Sequence, residues 1–252
     1  GTIAAKIQPN LFETAIARMP QGLVVVSGSS GKSSTTKFLV QILEKQGLTV
    51  FTNSSTANIS QGLISAVLQG GTGMSLPRAD IAVIEMDEAY AAKIGAPLKP
   101  RVSVITNVMD EQLDRFRDSE FVLNSLRTLA QASKRFIANG NDPSLAELES
   151  ETASFFGFNK QLSSHEAAPR YSISNKGPVE KLDYEVSSLE PVTVHSPNGR
   201  IKLSLPASGM HMTLNFVSAL AAAEHLFTGL YPKPLEDTVT SLEGVYGRDT
   251  VE

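Results

Sequence analysis

The sequence predicts an α/β fold: a doubly wound, mostly parallel sheet with helices on both faces and a phosphate-binding loop after its first strand. Three observations carry this. The runs at 80–86 (DIAVIEM) and 102–106 (VSVIT) do not alternate apolar with polar residues, as strands buried on both faces require. Such runs alternate along the chain with longer segments of helical spacing. The run LVVVS at 23–27 leads into a Gly/Ser-rich turn and then into a helix.

Taken in order, residues 23–27 form the first strand. Phe38, Leu39, Ile42 and Leu43 recur at helical spacing over 33–46, and Gly47 ends that helix. Residues 48–52 (LTVFT) make a second strand. Ile59, Leu63, Ile64, Val67 and Leu68 place a helix over 58–69, and glycines at 70, 71 and 73 mark the loop after it. Strands at 80–86 and 102–106 follow, then a helix at 119–133 and a strand at 136–138. From about residue 157 the chain turns rich in Ser, Asn, Pro and charge. Runs at 182–186 and 191–195 alternate, and Pro-Asn-Gly at 197–199 before IKLSL predicts a hairpin. We read this stretch, about 158–207, as a β-rich insertion rather than a separate domain. Leu214, Val217, Leu220 and Ala221 return the pattern to a helix over 213–228.

Composition bounds the function. The 252 residues carry 22 Lys plus Arg against 26 Asp plus Glu, a net charge of -4 that argues against a nucleic-acid coat. Hydrophobic residues make up 41% of the chain, enough to bury a core rather than stay disordered. The longest apolar runs, 23–26 and 219–223, are too short to span a bilayer. With no cysteine, disulfides, thiolate catalysis and cysteine-based zinc sites are excluded, and a reducing compartment fits. The length suits one large domain, or a domain plus a piece.

The most informative stretch is Ser27-Gly28-Ser29-Ser30-Gly31-Lys32-Ser33-Ser34-Thr35. Glycines let backbone amides approach phosphate oxygens, and the helix start adds partial positive charge. Lys32 is placed to reach the terminal phosphates, and the Ser33 hydroxyl to coordinate magnesium. The usual first glycine of such loops is Val26 here, so the signal rests on G-x-x-G-K-S. The bland alternative is a Gly/Ser turn that caps a helix. Glu85, Asp87 and Glu88 follow the apolar run 81–84, where a strand end faces the ligand crevice. Glu85 suits a second magnesium ligand. Asp87 and Glu88 read better as a solvated helix N-terminus.

These residues together resemble the ATP-dependent Mur ligases. GSSGKSST is similar to the family's G-T-N-G-K-T-T loop, and STANISQGL contains Asn58 after the second strand. TNVMDEQLDRF resembles N-x-x-x-D-H-L-D-R, GMHMTLN (209–215) resembles G-x-H-N-x-x-N, and Gly247-Arg248 resembles the Gly-Arg that closes the family's central domain. VIEMDEA resembles the E-x-D-E-A element of one branch, MurT, the synthetase subunits of lipid II isoglutaminyl synthase. The opening GTIAAKIQPNLF resembles that branch's lead-in as well.

The resemblance implies the following. Residues 1–248 are the central ATP-binding domain, and 249–252 begin a linker to a closing domain, without which the chain is expected to bind nucleotide weakly and not to turn over. Gly28, Ser29, Ser30, Gly31, Lys32, Ser33 and Ser34 hold ATP phosphates and magnesium. Asn58 lies near the γ-phosphate, and Glu85 binds the second magnesium. Asn139 and Asp142, in NGNDP, are similar to the nucleotide-side N-x-D-D element. Asn215 contacts adenine, and Arg248 reaches the ribose or phosphates. Gln112 stands where many relatives carry a metal-binding histidine, which favours the MurT branch. Met212 replaces the first asparagine of the adenine motif. Several members of that branch carry a four-cysteine zinc ribbon, excluded here.

The implied activity is ATP-dependent amidation of the D-glutamate α-carboxyl of lipid II in peptidoglycan synthesis, in the cytoplasm. Ammonia would come from a GatD-like glutaminase, which agrees with the absence of a cysteine to hydrolyse glutamine. Two alternatives remain: another Mur-like amino-acid ligase, and a non-catalytic phosphate-loop module. Of the histidines, His165 and His195 are expected in solvent, His211 just before a helix near adenine, and His225 on a helix face. A zinc site has little support, since no His or Cys pairs at ligand spacing.

Overall fold

The computed structural model describes residues 10–53, 60–71, 75–109, 119–148, 150–171, 177–205 and 209–227. Among them, nine strands form one sheet: β1 (Leu23–Ser27), β2 (Val50–Thr52), β3 (Ile81–Glu85), β4 (Val102–Ile105), β5 (Arg135–Asn139), β6 (Ala153–Phe158), β7 (Tyr184–Leu189), β8 (Val192–Ser196) and β9 (Gly199–Leu203). The order is β2-β3-β1-β4-β5-β6-β7-β8-β9. Pairing is parallel from β2 through β7 and antiparallel for β7-β8 and β8-β9. The main helices are α1 (Leu11–Ile16), α2 (Lys32–Lys45), α3 (Ser60–Gly70), α4 (Ser119–Ala132) and α5 (Met210–Leu226).

The sheet grows outward from β1, with β3 on one side and β4 on the other. That makes β1 the switch point, and a ligand crevice opens at the C-terminal ends of these strands. Alternate residues of each central strand serve opposite faces. Val24, Val26, Ile81 and Val83 pack with Phe38 and Ile42 of α2 and with Phe216 and Val217 of α5. Leu23, Val25, Ala82 and Ile84 pack instead with Phe12 and Ile16 of α1 and Leu63 and Val67 of α3. A third cluster lies beneath α4, where Val122 and Leu126 meet Phe136 and Ala138 of β5. Both faces are therefore covered, which explains why β1, β3 and β4 are buried along their whole length.

The β-rich stretch proves continuous with the sheet. β7 lies parallel to β6, and β8 and β9 follow as a meander. The hairpin falls at Pro197-Asn198, with Ser196 opposite Gly199. The elements not foreseen include α1, β6, which lies across the point where the composition shifts, and the short helices Pro143–Ala146 and Lys160–Ser163. A run of short helical turns over 88–98 after β3 was also not foreseen. At the far end of α5, the Arg101 guanidinium donates to Leu226 O at 2.8 Å and to Gln21 Oε1 at 2.7 Å. A cation thus sits where α5 exposes its last carbonyls.

The rings of Phe38 and Phe216 meet edge to face, centroids 5.6 Å apart, and join α2 to α5. Phe38 is fully buried. Phe38→Ala should lower stability by about 3–5 kcal/mol, read as a fall in the urea midpoint at unchanged slope.

Candidate functional site

The loop after β1 is built to leave backbone exposed to a ligand. Gly28 has φ +123° and Gly31 φ +82°, conformations that side chains resist. A Cβ on Gly28 would lie 2.9 Å from Asn107 O and 3.0 Å from Thr106 N, so the loop presses directly on the chain after β4. That chain holds it firmly. The Asn107 side chain accepts from Ser30 N at 3.0 Å and donates to Ser30 O at 3.1 Å. Thr106 Oγ1 donates to Ser30 O at 2.6 Å, Ser29 N donates to Asn107 O at 2.9 Å, and Met109 N donates to Ser29 Oγ at 3.0 Å. α2 begins at Lys32 with Gly31 as its cap residue and no capping side-chain hydrogen bond. Its first amides therefore have no partner within the helix and point toward the crevice. Lys32 Nζ donates to Gly28 O and to Ser29 O, so its ammonium lies folded onto the loop.

Glu85 is the last residue of β3, paired in register with Val26, one residue before Ser27. It is buried and reaches the same sheet edge as the loop. Asp87 is the cap of the following helical turn, accepting from Ala89 N at 3.3 Å, in keeping with its reading as a helix N-terminal residue. Glu88 differs from that reading. It is 1% exposed, because the turn it begins packs against α4 rather than standing in water.

Asn215 lies in the second turn of α5, half-buried, directly over the loop. A Cβ on Gly31 would lie 2.2 Å from Asn215 Oδ1. The two helices are also tied by Thr35 Oγ1, which lies 3.1 Å from Ser218 Oγ and donates to Asn215 O at 3.4 Å. The structure therefore brings the Gly28–Ser34 segment and Asn215 into one place, with Glu85 on the same edge. Asn58, Gln112 and Arg248 lie outside the described residues.

Asn139 and Asp142 sit on the next crossover, at the end of β5. Asn139 Nδ2 donates to Tyr171 Oη at 2.8 Å, and its Oδ1 accepts from Asn141 N at 3.0 Å. Asp142 is fully buried and accepts from Val108 N at 2.7 Å and Ser144 N at 3.0 Å. Its carboxylate thus anchors the chain that carries Thr106 and Asn107. Burial pushes its carboxyl up to about 6, against the pull of those amide donors.

His165 and His195 are exposed. His211 lies inside α5, which begins at Met210, earlier than the apolar spacing suggests, and it too is exposed. His225 is on the helix face, its Nε2 2.9 Å from Ser154 Oγ. Sequence reading missed the roles of Thr106, Asn107 and Asn53. A signal was present: Thr-Asn ends a strand-like run at both 52–53 and 106–107.

A family model, the Mur ligase middle domain, matches residues 26–223. The chain belongs to that family. It is similar to the lipid II isoglutaminyl synthase (glutamine-hydrolyzing) subunit MurT of Staphylococcus aureus (strain COL), 28% identical over 160 residues, covering 62% of this chain and 36% of that protein. It is also similar to the UDP-N-acetylmuramate–L-alanine ligase of Thermobifida fusca (strain YX), 26% identical over 209 residues, covering 80% of this chain and 39% of that one. Among solved structures, MurF ligase from Thermotoga maritima in complex with ADP superposes with a TM-score of 0.64 at 18% identity, covering 90% of this chain and 51% of that chain. The chain thus spans less than half the length of these curated relatives.

As a Mur ligase middle domain, the site fits a nucleotide phosphate on its own geometry. Two positive-φ glycines bring main chain close to the crevice, and the helix start has no side-chain cap. For magnesium, no group of three or more His, Cys, Asp or Glu side chains among the described residues forms a metal cage. A magnesium ion carried by phosphate oxygens and water needs only one or two protein oxygens and no such cage.

Two outcomes are expected. Gly28→Ala should cost about 1–3 kcal/mol, from strain and from collision with the Thr106–Asn107 backbone, and should weaken nucleotide binding in calorimetry. For Asp142, the unfolded carboxyl releases its proton near 3.8 while the folded one keeps it to about 6. Stability therefore falls as pH rises through that window and levels off above it. Asp142→Asn should lack this fall. Between pH 4 and 7 the difference in unfolding free energy should move toward the variant by up to about 3 kcal/mol in parallel urea melts.

Proposed function

We propose that this chain is the ATP-binding domain of an amide-forming ligase of peptidoglycan synthesis. The finer reading is amidation of the D-glutamate α-carboxyl of lipid II to D-isoglutamine, with ammonia from a GatD-like glutaminase. The observation that carries the ligase reading is the glycine loop held by Thr106 and Asn107 beneath an uncapped α2, in a chain of the Mur ligase middle domain family. The MurT relatives and the E-x-D-E-A run at 85–89 support the finer one.

In this reading a carboxylate oxygen of the substrate attacks the γ-phosphorus of ATP. The bond to the β-phosphate bridging oxygen breaks, and ADP leaves. Ammonia then attacks the acyl-phosphate carbon, inorganic phosphate departs, and the nitrogen loses a proton. The chain's share is positioning and charge neutralisation. The loop amides and the α2 N-terminus hold the phosphates. Lys32 turns its ammonium from Gly28 O and Ser29 O toward them. Asn215, fixed over Gly31, reads the base, with Asn58 and Arg248 assigned to the γ-phosphate and the ribose side. Ser33 and Glu85 are the oxygens that would hold magnesium, which when bound neutralises phosphate charge. Asn139 and Asp142 act chiefly by shaping this edge, since their oxygens serve main-chain amides.

A second reading, an amino-acid-adding ligase, draws on the L-alanine ligase relative, which aligns with more of the chain. No helix among the described residues is long and apolar enough to cross a membrane. The deciding assay offers lipid II, ATP and either a GatD-like glutaminase with glutamine or free amino acids. With the full-length protein, amidated lipid II with ADP release supports the first reading, amino-acid addition supports the second, and neither product refutes both ligase readings. Lys32→Ala should weaken ATP binding about 10- to 100-fold by calorimetry, and unchanged affinity would refute the phosphate-loop assignment.

A further inference from the structure

We propose that Asn53 is a positioning residue for Glu85, setting the carboxylate that the magnesium reading uses. The inference rests on that reading and goes beyond it, because Asn53 lies outside every motif that suggested it.

β2 ends at Thr52, in register with Val83. Ile81 turns its N–H toward the β2 side, donating to Thr49 O. Glu85, four residues on, turns the same way at the strand end, after the backbone of β2 has left the ladder. The Asn53 side chain takes that place. Its Oδ1 accepts from Glu85 N at 2.9 Å, and its Nδ2 donates to Glu85 O at 2.9 Å. The amide is 6% exposed and Glu85 4%, so water does not compete freely for either bond. On the other flank, Met86 N donates to Val26 O at 2.9 Å. The main chain of Glu85 is thereby gripped from both sides. The direction in which its carboxylate leaves the sheet follows from that grip.

Asparagine suits the task on chemical grounds. A carboxamide offers a donor and an acceptor side by side, matching the N–H and C=O of one residue. Alanine offers neither, and serine offers a single shorter group. Groups that orient a metal ligand without touching the ion typically govern 10- to 100-fold in metal affinity. A plain structural role would act differently: it would lower stability and weaken all nucleotide binding alike.

The experiment measures, by calorimetry, the affinity of the full chain for a non-hydrolysable ATP analogue, once in EDTA and once in Mg2+. The ratio of the two affinities is the metal-linked gain, and thermal melting is recorded beside it. Asn53→Ala should shrink that gain about tenfold while leaving the EDTA affinity within about twofold. Asn53→Ser should lie between parent and alanine, and it carries the test if Asn53→Ala does not fold. Glu85→Gln should remove the Glu85-dependent part of the gain, and Lys32→Ala should weaken binding in both conditions. If Glu85→Gln removes the gain and the Asn53 variants keep it, the positioning role is overturned and the magnesium reading stands. If Glu85→Gln keeps the gain, the magnesium reading itself falls, and the proposal with it. Equal losses in EDTA and Mg2+ for the Asn53 variants also overturn the proposal.

Discussion

Where parallel strands stop, their outermost peptide groups lose the partners that the ladder gave them, and this protein replaces those partners with asparagine carboxamides. Asn53 clamps the N–H and C=O of Glu85 and Asn141 those of Phe158 at 2.6 and 3.0 Å, and Asn107 does the same for Ser30 in the loop that follows β1. A buried peptide group left unpaired costs about 1–3 kcal/mol. The substitution also frees the main chain of the clamping strand to leave the sheet at once. The crevice at the C-terminal edge can therefore be lined by irregular chain without exposing broken ladder. The phosphate loop keeps its shape because of this arrangement.

The second layer of organisation is the α2–α5 pair. Residues about 180 positions apart meet through Phe38 and Phe216, Thr35 and Ser218, and Gly31 and Asn215. The first pair is apolar packing and the second a hydroxyl contact inside the core. The third is an approach so close that only glycine fits. Together they grade from core to crevice along one helix interface. The phosphate end and the proposed base end of the site are thus parts of one packed unit.

The central fold was readable because burial on both faces leaves a coarse mark. β1, β3 and β4 are unbroken apolar runs, and α2 and α3 are regular stripes between them. β6 was missed for a local reason: Ser154 and Gly157 interrupt its phenylalanines, and a polar stretch begins directly after it. Glu88 was misread because charge beside a helix start usually means solvent, and only the packing of α4 shows otherwise. In the site, the glycine loop announced itself through residue types that phosphate chemistry demands. Asn53 and Asn107 did not, since their importance lies in which peptide they reach across the sheet. That is a tertiary property, and a Thr-Asn pair at a strand end hints at it only in retrospect.

The two outer strands of the sheet have a bearing on the protein's behaviour in a crowded solution. β2 has three residues, and β9 carries exposed Arg200 and Lys202 on its five. A short border and a cationic border are both poor templates for another chain's backbone. Copies of this domain that meet edge to edge would find little ladder to extend on one side and mutual repulsion on the other. Growth of the sheet into larger aggregates is opposed at both margins, while the crevice remains open in the middle.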